Sequence, residues 1–192
     1  MSSVLARLAP PAEGHRARRW LIAPLLTFAL VSLLAGFVAA ANEPAGTYAA
    51  WYDLFFSDTI HMKAWLATGA AALACFQLFS AGWIFRRYPL PKPAWINAAH
   101  RWSGRLVFVL VLPVAYHCIF ELGFEHGDDR VLVHSLAGSA FFGAYFAKVL
   151  VVKLKRYPVW VLPTAGAVVF TALVAVWYTS ALWFFRLVGE GL

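Results

Sequence analysis

Five long apolar runs alternate with short charged segments along the chain, at about residues 20–41, 60–85, 103–121, 131–152 and 159–185. Each is long enough to cross a hydrocarbon core of about 30 Å as a helix. A lone segment in lipid must satisfy its own backbone N–H and C=O groups, which a helix does and a single strand does not. None of the runs alternates as an outer-membrane barrel strand would. The pattern predicts an all-α integral membrane bundle with five transmembrane helices. Residues 1–19 form a cytoplasmic N-terminal tail, 20–185 a single transmembrane domain and 186–192 a short outer tail. The proline-rich stretch Tyr88-Pro89-Leu90-Pro91-Lys92-Pro93 reads as a stiff extended connector. His15-Arg16-Ala17-Arg18-Arg19 before the first run resembles a signal peptide, with Ala39-Ala40-Ala41 as its cleavage point. However, the run of about 22 residues is longer than a signal core, so a retained first helix is expected.

Charge fixes the expected orientation. Arg7, Arg16, Arg18 and Arg19 precede the first run. Arg86, Arg87, Lys92, Arg101 and Arg105 lie between or beside the second and third, and Lys153, Lys155 and Arg156 between the fourth and fifth. With five spans all of these share one side. Glu43, Asp53, Asp58, Glu121, Glu125, Asp128, Asp129 and Glu190 share the other. The positive-inside rule then puts the N-terminus in the cytoplasm and the C-terminus outside. Trp20, Trp51, Tyr52, Trp83, Trp95, Tyr157, Trp160 and Trp183 fall where interfacial aromatic anchors belong. Composition agrees: 62% of the 192 residues are hydrophobic and 13% charged, against about half and a quarter in a soluble domain. The net charge of +7 is spread over the connecting segments and forms no surface for nucleic acid. Cys75 and Cys118 lie at different depths on different helices and lack the spacing of a haem-attachment or zinc motif. They read as small apolar residues.

The chemistry lies in four histidines within these runs: His61, His100, His117 and His134. Ionisable groups inside a bilayer are costly and tend to be functional, and histidine is a common axial ligand of haem iron. His61 follows Asp58 by three residues, His117 precedes Glu121 by four and His134 follows Arg130 by four. All three therefore sit roughly 5–6 Å below the outer boundary, on three different helices. Gly138, one turn after His134 and on its face, leaves room for a porphyrin, although Ser135, Ser139 and Gly143 are also spaced for plain small-residue helix packing. A histidine here can also do no more than hydrogen-bond a neighbouring helix. Lys63, two residues below His61, can reach water or a haem propionate. Lys148 is expected to reach back to the cytoplasmic side.

His100 stands apart at the cytoplasmic end of the third helix. It lies seventeen residues from His117 and about 100° off its face, so the two do not form the stacked pair of a two-haem helix. The fifth run carries no histidine and no charged residue. One b haem is expected, with His61 and His134 as preferred ligands and His117 as the third candidate. A second site at His100 and Arg105, for a quinone or a structural contact, stays open.

The segments His100-Arg101-Trp102-Ser103-Gly104-Arg105 and Val133-His134-Ser135-Leu136-Ala137-Gly138 resemble the cytochrome b-561 and ferric-reductase-like membrane cytochromes. The resemblance covers about residues 60–152. It implies alternating-helix ligation, His61 of the second helix with His134 of the fourth. It puts His100 in the third-helix ligand position, whose fifth-helix partner is missing. The whole chain is also similar to small five-helix membrane proteins of actinobacteria that carry no established activity. The expected function is a membrane b-type cytochrome in the bacterial cytoplasmic membrane. It would move electrons between quinol or a respiratory complex and an extracytoplasmic redox partner, as an electron-transfer subunit more than a stand-alone enzyme. The alternatives are a haem-free accessory subunit of a respiratory complex and, more distantly, a small cation transporter. Against transport stand the absence of an intramembrane carboxylate and of paired broken helices. No glycine-rich loop marks a flavin or nicotinamide site.

Overall fold

A computed structural model describes residues 13–42 and 53–189, and side chains for 21–42 and 53–188. Arg7, Glu43, Trp51, Tyr52 and Glu190 lie outside the described residues, and the side chains of Arg16, Arg18, Arg19 and Trp20 outside the described side chains.

The described chain is helical, without strands. α1 spans Glu13–Ala40 and α2 Thr59–Ile84. α3, Ile96–Tyr116, runs into a π-helical turn, His117–Leu122, and α4 spans Asp129–Leu154. α5, Val161–Trp177, passes through a second π-helical turn, Tyr178–Leu182, into α6, Trp183–Gly189. Five of the resulting rods are long and apolar enough to cross a membrane: Leu21–Ala40, Thr59–Ile84, Ile96–Leu122, Asp129–Leu154 and Val161–Val188.

The starts of two helices are fixed by carboxylates. Asp58 caps α2 by accepting the His61 backbone N–H at 2.9 Å, and Asp128 caps α4 by accepting that of Val131 at 2.8 Å. α3 begins at Ile96, not near residue 103 where the hydropathy rises. Asn97, His100 and Arg101 dilute the apolar signal of this first stretch. Yet Ile96 is fully buried, and His100 and Ser103 meet α2 on the same face.

α2 packs against α3 and α5, and α4 packs against α5 and α1. The core between them joins Ala70 and Ala74 of α2, Val107 of α3, Phe141 of α4, and Ala172 and Leu173 of α5. Alanines on α2 let its neighbours approach closely, and aromatic rings fill the wider separation between α3 and α4. Phe108 stacks on Tyr145 with centroids 4.4 Å apart and meets Phe142 and Phe146 edge-on. α1 docks on α4 through small residues. A Cβ on Gly143 would run into the Phe28 carbonyl and the Ser32 hydroxyl, while one on Gly36 would stand 3.4 Å from Ser139 Oγ. The α1 and α3 termini meet at Gly123, whose φ of +75° ends the π-helical turn. A Cβ there would lie 2.8 Å from the Asn42 carbonyl oxygen.

Candidate functional site

One end of the bundle gathers most of the buried polar chemistry. Lys63 of α2 donates from Nζ to Nδ1 of His117 on the α3 extension, 3.2 Å away. His117 is 1% exposed, and among the described residues its Nε2 has no hydrogen-bond partner. The next residue, Cys118, neighbours both His117 and His134 of α4. His134 in turn meets Thr179 of the α5 extension, with Nδ1 and Oγ1 3.1 Å apart. Arg130, one turn before His134, donates from Nη1 to the Thr179 carbonyl at 2.8 Å and lies over the Trp183 ring at 4.0 Å. Side chains of four helices thus converge at one level.

Both π-helical turns fall at this level, and each brings a residue of the cluster: His117 opens one and Thr179 lies in the other. A π-turn shifts the phase of the side chains beyond it and loosens the regular backbone ladder. The Arg130 guanidinium supplies a donor to one carbonyl of the second turn. Pro113, with no N–H to give, lies one turn before the first.

His61 sits on another face of α2. It is two residues, about 200°, from Lys63. Its Nδ1 lies 2.7 Å from Asp58 Oδ2, its side chain is 41% exposed, and its ring meets Phe184 edge-on at 5.2 Å. Asp58 lies outside the spans. Its carboxyl is held below the usual 3.8, first by the His61 backbone N–H it accepts, then by the His61 ring and Ser57.

Hydrogen-bond accounting separates the three imidazoles. The single Thr179 hydroxyl hydrogen goes to the Ala175 carbonyl at 2.7 Å, so Oγ1 accepts from His134, whose proton is on Nδ1. A carboxylate only accepts, so His61 also carries its proton on Nδ1. In the neutral form both rings then offer Nε2 as a lone pair, the form a metal ligand needs, with an oxygen acceptor holding the other nitrogen. An ammonium only donates, so the His117 Nδ1 accepts and its Nε2 bears the hydrogen, the opposite tautomer. Among the described residues Gly138 has no heavy atom within 4 Å of where a Cβ would stand, which leaves open space one turn from His134. Ser139 and Gly143, by contrast, pack against α1. His61 and His134 thus share an Nδ1–H contact to oxygen and Gly138 leaves open space, while His61 stands on another face of α2 from the Lys63–His117 pair beside His134. Among the described residues no group of three or more His, Cys, Asp or Glu side chains converges to hold a bare metal ion.

His100 belongs to a separate polar cluster at the opposite end. Its Nδ1 lies 2.7 Å from Ser80 Oγ, and Gln77 donates to both the His100 carbonyl and the Ser103 hydroxyl. Gly104 lets Gln77 lie flat on α3, since a Cβ would stand 3.2 Å from Oε1. Lys148 of α4 lies within electrostatic reach of His100. Arg105 turns out from it to lie over the Trp102 ring, 4.7 Å from the centroid. Gln77, Ser80, Thr179 and Cys118 had no distinguishing spacing. Only Gln77, an amide in the middle of an apolar run, carried a visible signal.

Over residues 21–191 the chain belongs to DUF6529, a family of unknown function. No curated protein and no solved structure matches it.

Proposed function

We propose that this DUF6529 member is a multi-pass b-type cytochrome of the bacterial cytoplasmic membrane. In this reading its N-terminus is cytoplasmic, and one haem is held at the extracytoplasmic end by His134 and His61. It passes electrons between quinol or a membrane redox complex and an extracytoplasmic redox partner. The observation that carries the reading is the shared contact of these two imidazoles, each with Nδ1 facing an oxygen acceptor, so that Nε2 is the lone-pair nitrogen of the neutral ring. A six-coordinate haem supplies a one-electron couple without an open coordination position. Asp58 and Thr179 hold the ring planes and raise the basicity of Nε2. The face at Gly138 leaves room, and Phe184 packs on the His61 ring. Exposed leucines along α1, among them Leu25, Leu30 and Leu33, suit a helix facing hydrocarbon.

The absorption spectrum of the full chain purified from haem-replete cells tests this. We expect a Soret band and dithionite-reduced bands of the b type. They should be lost in His134→Ala and His61→Ala and kept in His117→Leu when haem is saturating. A colourless, monodisperse protein, or a His134→Ala variant with an unchanged spectrum, would overturn it. The second reading, a haem-free accessory subunit, is favoured by one observation. Lys63, His117 and Cys118 already occupy the interior beside His134, and the His61 ring leans away from them on Phe184.

A further inference from the structure

Two cations stand between α3 and α4 without a counter-ion. These helices do not pack closely along their backbones, and aromatic rings bridge them, with Phe108 stacked on Tyr145. Arg105 lies one turn before Phe108 and Lys148 one turn after Tyr145, each on the face of its ring. The helices run in opposite directions, so both cations fall just beyond the stacked pair, toward the His100 end. Arg105 is within electrostatic reach of the Tyr145 phenol, as Lys148 is of His100. Arg105 is exposed and lies over the Trp102 ring. Among the described residues neither cation has an ion pair, and the carboxylates of Asp53, Asp58, Glu121, Glu125, Asp128 and Asp129 stand at the other end of the bundle. In the apolar runs Arg105 and Lys148 are two and four residues from the boundary, roughly 3–6 Å deep. From there their long side chains reach headgroup level.

An apolar groove of about 620 Å³ opens between the same two helices, lined in part by Leu112, Pro113 and Tyr116 of α3 and Phe142 of α4. Leu112 is seven residues from Arg105 and Phe142 six from Lys148, so on both helices the groove begins roughly 9–11 Å from the cations. Val109 and Phe146, on the way, are exposed and apolar. Cations within an apolar span call for an anion, and basic sites between transmembrane helices suit anionic lipid headgroups. A free phosphate would engage only the cations, and a neutral quinone only the groove. A phosphate carrying a hydrocarbon chain engages both.

We propose that the α3–α4 cleft binds an anionic glycerophospholipid from the leaflet at the His100 end, with its phosphodiester on Arg105 and Lys148 and an acyl chain in the groove at Leu112 and Phe142. The inference needs the chain to lie in a membrane but does not rest on the haem reading.

Native mass spectrometry of the delipidated full chain in detergent, titrated with dioleoyl phosphatidylglycerol, dioleoyl phosphatidylcholine and glycerol 1-phosphate, tests it. The wild type should bind phosphatidylglycerol about tenfold tighter than phosphatidylcholine and should not retain glycerol phosphate. Arg105→Gln and Lys148→Met should lose the preference while keeping the wild-type affinity for phosphatidylcholine, which also shows that they are folded. Lys148→Arg should retain it, as should Arg86→Gln and Lys153→Gln, which remove exposed charges outside the cleft. Equal affinities for the two lipids in the wild type would overturn the site. So would a preference that survives Arg105→Gln and Lys148→Met together, which would assign it to the loops. Retention of glycerol phosphate as tight as that of the lipid would leave a plain phosphate site and overturn the lipid assignment.

Discussion

At the scale of single residues, the group facing each ring nitrogen decides what an imidazole can do. His61 and His134 face oxygens that accept, while His117 faces an ammonium that donates. Depth along the chain picks out these three histidines. It cannot assign their partners, because Lys63 and His117 are 54 positions apart and His134 and Thr179 are 45. Asp58 is the exception, since its cap and its ring contact both lie within three residues of it. Its carboxyl is held below 3.8 in the folded chain, chiefly by the His61 backbone N–H. A depressed carboxyl pKa adds stability that is present above the unfolded pKa and lost as pH falls through the folded one. Acidifying from about pH 5 to about pH 3 should therefore lower the thermal midpoint of the wild type more than that of Asp58→Asn, which lacks this proton linkage. Equal slopes in thermal melts across that window would show that the cap contact has no such weight.

At the scale of elements, hydropathy located all five rods but not their irregular ends. The start of α3 was missed because its first turns are amphipathic. The π-helical turns were invisible because a sequence read at 100° per residue assumes an unbroken α-helix. Both turns bear on the site, since they set the directions of His117 and Thr179. Small-residue spacing on α4 was legible, but not which partner it served: Ser139 and Gly143 turned out to receive α1. Gly143 is the tightest point of that contact, and the Phe28 backbone opposite it cannot rotate away. Gly143→Leu should thus destabilise the purified protein by about 1–3 kcal/mol through overpacking. Gly166→Ala on α5, where nothing stands within 4 Å, should leave stability unchanged or raise it by up to about 1 kcal/mol. Thermal unfolding in one detergent compares the two, and a Gly143→Leu midpoint equal to the wild type would contradict the docking of α1 on α4.

At the scale of the whole molecule, two polar clusters stand at opposite ends of an apolar, aromatic middle. The middle holds Ala70, Ala74, Val107, Phe141 and Leu173, with Phe108 stacked on Tyr145 beside it. Hydropathy cannot tell which helix neighbours which, because every run is apolar enough to face lipid or protein. The order followed instead from where small residues allow close approach. If only the His61–His134 end holds a redox centre, electrons enter and leave on that side, and orientation decides which partners it can meet. Arg86, Arg87, Lys92, Lys153, Lys155 and Arg156 all lie at the His100 end, which the positive-inside rule assigns to the cytoplasm. The loop around Gly127, between the π-helical turn and α4, should then be extracytoplasmic. Alkaline phosphatase fused after Gly127 should be active in intact bacterial cells, and the same enzyme fused after Lys92 inactive. The reverse pattern would turn the haem site toward the cytoplasm and exclude an extracytoplasmic partner, even if the haem itself binds as proposed.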